Sequence, residues 1–245
     1  MLKLLLLFVT ALSSTHVYAD AKADEARIRA ALKKNNPQIE KIDKVVKSDI
    51  LGLYEVAIQG RLLYTDKDGR YIINGNIFEM KTMRNLTEER ARELFKVEYS
   101  KLPFELAMKR VKGNGQRQMA YFTDPNCGYC QKLETELKQL DNITLHVFLL
   151  ANFPGSAEKI KGVLCSKNPV KAWDDLMLDQ VVPATGTCDT PMEKVAQLSN
   201  TLNVNGTPAL IFSNGVLEPG YLSAADIEKA LVNGGKAVND GKAAR

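Results

Sequence analysis

Histidine, cysteine and tryptophan are scarce here: two, four and one among 245 residues. No apolar run reaches the roughly 20 residues that a bilayer-spanning helix needs. Dense basic patches are missing too. The 33 basic and 29 acidic residues are interleaved, the formal net charge is +4, and nothing in that pattern argues for nucleic acid. Disorder-type bias is absent, since a hydrophobic content of 45% is that of an ordinary globular protein. The shortage of histidine bears on metals. A zinc site usually takes four Cys or His ligands at close spacing. Cys165 and Cys188 do not form a second Cys-x-x-Cys, His146 lies in an apolar run, and His16 falls in a segment read below as removed. Neither metal nor cofactor is expected.

What is present is Cys127-Gly128-Tyr129-Cys130. The preceding Gln118-Met119-Ala120-Tyr121-Phe122 reads as a short apolar strand. Gln131 to Leu140 reads as a helix with Leu133, Leu137 and Leu140 on one face. A Cys-x-x-Cys at a strand-to-helix junction sets its first thiol at a helix N-terminus, where unpaired N–H groups and the macrodipole favour a thiolate. The second thiol follows one turn later, near enough to close a disulfide. The pattern suits thiol–disulfide exchange in which Cys127 attacks and Cys130 resolves.

The N-terminus indicates the compartment. Lys3, the run Leu4-Leu5-Leu6-Leu7-Phe8-Val9, a polar stretch and Val17-Tyr18-Ala19 follow the order of a secretory signal, residues 1–19, with cleavage after Ala19. A lipid anchor would need a cysteine just beyond that point, and the first is Cys127. The exported chain would meet conditions that permit disulfides.

Character changes near residue 85. Asp24 to Lys34 reads as a helix ended by Asn35-Asn36-Pro37. Strand-like runs follow at 53–59, 61–65, 71–74 and 76–80, with Asp66-Lys67-Asp68-Gly69 as a hairpin turn. Residues 20–85 thus form a small sheet-rich block without a catalytic constellation, and a core of that size gains stability from association. Thr87-Glu88-Glu89-Arg90 opens a charged helix carrying Leu94, Phe95 and Val97, so 86–105 reads as a linker helix. From 106 to 245 the order is helix or loop, strand, CGYC, helix, strand (Ile143 to Leu150), helical patches broken at Asn168-Pro169 and Val182-Pro183, a closing hairpin, and a helix over 224–232. The expected class is mixed, α+β for the first block and α/β for the second. Strand–helix–strand, a helical insertion, then strand–strand–helix is a thioredoxin-like plan.

Phe122-Thr123-Asp124-Pro125-Asn126-Cys127-Gly128-Tyr129-Cys130 resembles the active-site segment of the bacterial DsbC/DsbG family of periplasmic disulfide isomerases. Gly206-Thr207-Pro208-Ala209 resembles that family's cis-proline loop, and the Cys165/Cys188 pair resembles its second, structural disulfide. The likeness covers the chain beyond the signal segment. It implies a homodimer joined by cystatin-like N-terminal domains, thioredoxin-like catalytic arms around an uncharged cleft, and a periplasmic location. It also implies electrons from a membrane thiol reductase of the DsbD type. Thr207 and Pro208 would sit beside the thiols and pair by main chain with an extended substrate strand, a sequence-tolerant mode of binding. Asp124 reads either as a tuner of thiol acidity or as a local turn residue.

The expected function is disulfide isomerisation: Cys127 attacks an incorrect disulfide in an exported protein, and a client thiol or Cys130 then displaces it. Two other readings stand beside it, an exported thiol oxidase or reductase of the same fold, and a holdase chaperone.

Overall fold

A computed structural model describes residues 12–232. Residues 1–11 of the expected signal segment lie outside the described residues. The chain divides into two compact units, with the division between Ala91 and Arg92. Among the described residues no helix is long and apolar enough to cross a membrane.

The first unit begins with α1 (Leu12–Asn35), which starts earlier than expected because neither proline nor glycine interrupts 12–23. Pro37 follows its end. Ile28 and Leu32 face the antiparallel sheet β1 (Lys44–Lys47), β2 (Tyr54–Ile58), β3 (Arg61–Thr65) and β4 (Ile72–Ile73), ordered β1-β2-β3-β4. With Ile42, Val45, Tyr54, Val56 and Ile58 they make one core. Strand β1 has a weak sequence signal, because Lys44-Val45-Val46-Lys47 offers only two apolar residues between lysines. The β3–β4 turn is built as its residues dictate. Asp66 Oδ1 accepts from the N–H groups of Arg70 (2.7 Å) and Tyr71 (3.1 Å). Gly69 has φ +66°, and a Cβ there would stand 2.9 Å from that of Ala31 on α1. The last expected strand shrinks to β5 (Phe78–Glu79), paired with β6 (Arg84–Asn85).

Helix α2 (Leu86–Leu94) opens with Glu88 and Glu89 in its first turn, as the macrodipole favours. It stops at Leu94, short of the expected Phe95 and Val97. The Val97 N–H donates to Gly215 O at 2.8 Å instead of to a helical carbonyl, and 3-10 turns follow at Tyr99–Lys101 and Phe104–Leu106.

The second unit is a five-stranded mixed sheet ordered β11-β10-β8-β9-β7, made of β7 (Met108–Lys112), β8 (Arg117–Thr123), β9 (Ile143–Leu149), β10 (Ala209–Phe212) and β11 (Leu217–Pro219). Central strands β8 and β9 run parallel and read as near-continuous hydrophobic runs because both sheet faces are covered. One face packs on α3 (Gly128–Leu137), α5 (Pro169–Asp179) and α7 (Ala224–Val232), the other on the segment 97–107 and α6 (Met192–Thr201). Helix α4 (Ser156–Leu164) completes the insertion. The break at Asn168-Pro169 is a helix start: the Asn168 side chain accepts from Lys171 N–H at 3.1 Å, and Pro169 stands at the first helical position. Edge strand β7 stands where a helix or loop is expected. Its alternation is concealed because one of its two buried side chains is Arg110.

Candidate active site

Strand β8 delivers the chain to Cys127. Met119, Ala120, Tyr121, Phe122 and Thr123 are all fully buried, so the strand end is held firmly before Pro125 turns the chain. Cys127 (φ −91°, ψ 116°) takes the N-cap position of α3, and its carbonyl accepts from Cys130 N–H (3.0 Å) and Gln131 N–H (3.1 Å). The helix therefore starts at Gly128, three residues before the expected Gln131, and ends at Leu137.

Pairing of β10 with β8 brings the second loop to the thiols. Ala209 lies opposite Phe122, so Thr207 and Pro208 arrive beside the β8–α3 junction. The Thr207–Pro208 peptide is cis. The Cys127 thiol donates to the Thr207 carbonyl oxygen at 3.3 Å, while Gly220 N–H occupies the Pro208 carbonyl at 2.8 Å. Both cysteines of the motif are free thiols with unequal surroundings: Cys127 keeps 6% of its surface exposed and Cys130 none. Burial pushes the Cys130 thiol up to about 12, with the neighbouring Cys127 thiol acting in the same direction. The Thr123 hydroxyl, the Asp124 N–H and the Thr207 side chain draw it back. Tyr129, between the cysteines, is exposed.

Asp124 is fully buried and its carboxylate is saturated by donors. Oδ1 accepts from Asn126 N–H (2.7 Å) and Ser156 Oγ (2.6 Å); Oδ2 accepts from Asn152 N–H (2.6 Å) and Phe153 N–H (3.2 Å). Asn126 adds Nδ2 to Pro154 O at 2.8 Å and receives Lys159 Nζ on Oδ1 at 2.6 Å. Of the two roles open to Asp124, these contacts fit the turn residue: it ties the active-site loop to the loop after β9.

A polar cluster that the sequence did not reveal lies under α3. The fully buried Glu134 accepts from Tyr121 OH (2.6 Å) and Trp173 Nε1 (2.9 Å) on Oε1, and from Arg110 (2.6 Å) on Oε2. Arg110 also meets Asp174 at 2.5 Å. Burial, then the Glu134 charge, raises Tyr121 well above its ordinary value. The available signal was Glu134 itself, a charged residue four positions after Cys130 on the face that also carries Leu137.

Cys165 and Cys188 are bonded to each other, S–S 2.05 Å and Cα–Cα 5.5 Å. They join the end of α4 to the irregular stretch between α5 and α6.

The chain matches two family models, the disulfide bond isomerase protein N-terminal domain over residues 19–88 and the thioredoxin-like domain over 104–235. A probable thiol:disulfide interchange protein DsbC of Bordetella parapertussis is 41% identical over 181 residues, which is 74% of this chain and 65% of that protein. The chain thus spans just under two thirds of the length of that relative. The thiol:disulfide interchange protein DsbC of Salmonella typhimurium is 32% identical over 220 residues, covering 86% of this chain and 88% of that one. A solved disulfide interchange protein from Neisseria gonorrhoeae superposes with TM-score 0.52 at 31% identity, over 54% of this chain and 97% of that one. With both domain types matched in order around a Cys-Gly-Tyr-Cys helix start and a cis-proline loop, the chain belongs to the DsbC family of thiol:disulfide interchange proteins.

Proposed function

We propose that this protein is a periplasmic disulfide isomerase, reducing and rearranging incorrect disulfides in exported proteins. The observation that carries the reading is the Cys127 thiol at the start of α3, 3.3 Å from the carbonyl beside a cis proline, with Cys130 buried behind it. Cys127 attacks a client disulfide and forms a mixed disulfide. A second client thiol then displaces it, completing isomerisation, or Cys130 does, completing reduction. Thr207, set beside the thiols by the cis Pro208, offers main chain to an extended client strand. The Cys165–Cys188 bond serves as a structural bridge in the insertion.

The first unit supports dimer formation. Ile72 and Ile73 are exposed on edge strand β4, Tyr71 just before it is exposed too, and Phe78, Met80 and Met83 add further exposed apolar groups in the same unit, a surface that a second copy of this chain would cover. Residues 20–85 act as the dimerisation domain, 86–105 as the linker and 106–245 as the catalytic domain. Residues 1–19 direct export. A DsbD-type membrane reductase keeps the dithiol reduced.

The test is reactivation of a scrambled multi-disulfide protein in a glutathione buffer. The mature protein should speed the return of native activity, and Cys127→Ser should abolish the acceleration. Equal rates for the two would remove the assignment.

A further inference from the structure

The resolving step meets an obstacle in this site. Cys130 has no exposed surface and lies among Leu133, Leu137 and other apolar side chains, yet it must become a thiolate to attack the mixed disulfide. A bare thiolate there lacks the solvation that water would give it. At the end of β8 the Asp124 N–H and the Thr123 hydroxyl both favour the charged form of Cys130.

The Thr123 hydroxyl is otherwise unexplained. The residue is fully buried, and its Oγ1 has no hydrogen-bond partner among the described residues. Its backbone is already employed, the carbonyl accepting from Leu150 N–H at 2.8 Å. Valine would suit a buried strand end equally well. Folded proteins rarely retain an unsatisfied buried hydroxyl without cause.

Building on the thiol–disulfide exchange proposed above, we infer that Thr123 is a catalytic residue of the resolving step: its hydroxyl donates to the Cys130 sulfur as that sulfur becomes a thiolate. Cys130 Sγ bonds to Cys127 Sγ, and the bond from Cys127 to the client sulfur breaks. The client sulfur leaves with the electron pair and takes up a proton in place of the one Cys130 released. The Cys127–Cys130 pair is oxidised by two electrons and the client disulfide is reduced. Thr123 keeps its own hydrogen throughout. The hydroxyl thereby sets how often a mixed disulfide ends in reduction and how often it survives long enough to be rearranged.

The experiment follows release of a fluorescent cysteine peptide preloaded as a mixed disulfide on Cys127 of the full mature protein. The comparison is between wild type, Thr123→Val, Thr123→Ala and Thr123→Ser, with denaturant stability measured alongside. Release should slow about tenfold in Thr123→Val and Thr123→Ala, the order of effect of one hydrogen bond to a charged group. The Asp124 N–H sustains the remaining rate. Thr123→Ser should restore release, and Thr123→Val should be no less stable than wild type. Release from Thr123→Val and Thr123→Ala at the wild-type rate overturns the inference while leaving the proposed function standing. Slow release that tracks a loss of stability, unrestored by serine, overturns it equally. A wild type that never releases the peptide removes both.

Discussion

Arg110 and Glu134 form an ion pair at 2.6 Å, almost wholly withdrawn from water, that joins edge strand β7 to the helix following the thiols. Each partner is further bonded, Glu134 by Tyr121 and Trp173 and Arg110 by Asp174. Attraction in such a place is offset by desolvation, so the pair adds little net stability over an apolar replacement. Removing one member is different, because the other is left charged and unpaired. Arg110→Met should lower unfolding free energy by about 3–5 kcal/mol. The double variant Arg110→Met/Glu134→Leu should recover much of that loss. Denaturant titration of the three proteins checks both statements, and equal losses in single and double variants would refute the second.

The two thiols of the motif should react in a fixed order. Cys127 retains some exposure, whereas Cys130 has none and its thiol is pushed up to about 12, chiefly by burial. Alkylation of the reduced protein near neutral pH followed by peptide mapping should label Cys127 first. Cys130→Ser should accumulate mixed disulfides with clients, and Cys127→Ser should form none.

The Cys165–Cys188 bond should resist mild reduction that leaves Cys127 and Cys130 as thiols. It links positions 23 residues apart, a loop for which chain entropy gives roughly 3 kcal/mol of stabilisation. Replacing both cysteines by alanine should lower the denaturation midpoint accordingly while leaving exchange at Cys127 in place. Mapping that found Cys165 free in protein prepared under oxidising conditions would contradict this.

His146 should make stability depend on pH. Its ring packs on Phe104 at 4.1 Å between centroids, its Nδ1 has no partner among the described residues, and burial, then Lys109, lowers its pKa below the ordinary 6.5. The unfolded chain therefore binds the proton more readily than the folded one. Stability is fullest above about 6.5 and is lost as pH falls from there through the lower folded value. Denaturation midpoints measured from pH 7.5 to 4.5 should fall more steeply for wild type than for His146→Phe.

Lysine at Ile72 and Ile73 should convert the mature protein to a monomer by light scattering. Both lie on the exposed edge strand β4, where added charge opposes edge pairing. Exchange at Cys127 with small disulfides should persist in that variant, while reactivation of scrambled proteins should decline. A variant that stays dimeric would place the interface elsewhere.

The parts legible in the sequence are those fixed by neighbours in the chain. The strand before Cys127, the helix after it, the Asp66–Gly69 turn and the interruption at Asn168-Pro169 each depend on a few adjacent residues. Strand β7 was illegible because the burial of Arg110 depends on Glu134, 24 positions away. Asp124 stayed ambiguous for the same reason. Its donors on Asn152, Phe153 and Ser156 lie 28 to 32 positions further on. The buried hydroxyl of Thr123 has no sequence signature, since threonine is an ordinary choice for a strand.

The grip of Asp124 on the loop after β9 runs mainly through main-chain N–H groups of Asn152 and Phe153. Such a contact is indifferent to side-chain identity at those two positions. The half-exposed ring of Phe153 can therefore be exchanged for polar, charged or smaller groups without loosening the frame around the thiols. Residue 153 is thus free to vary, whereas Asp124, which every one of these contacts shares, is not.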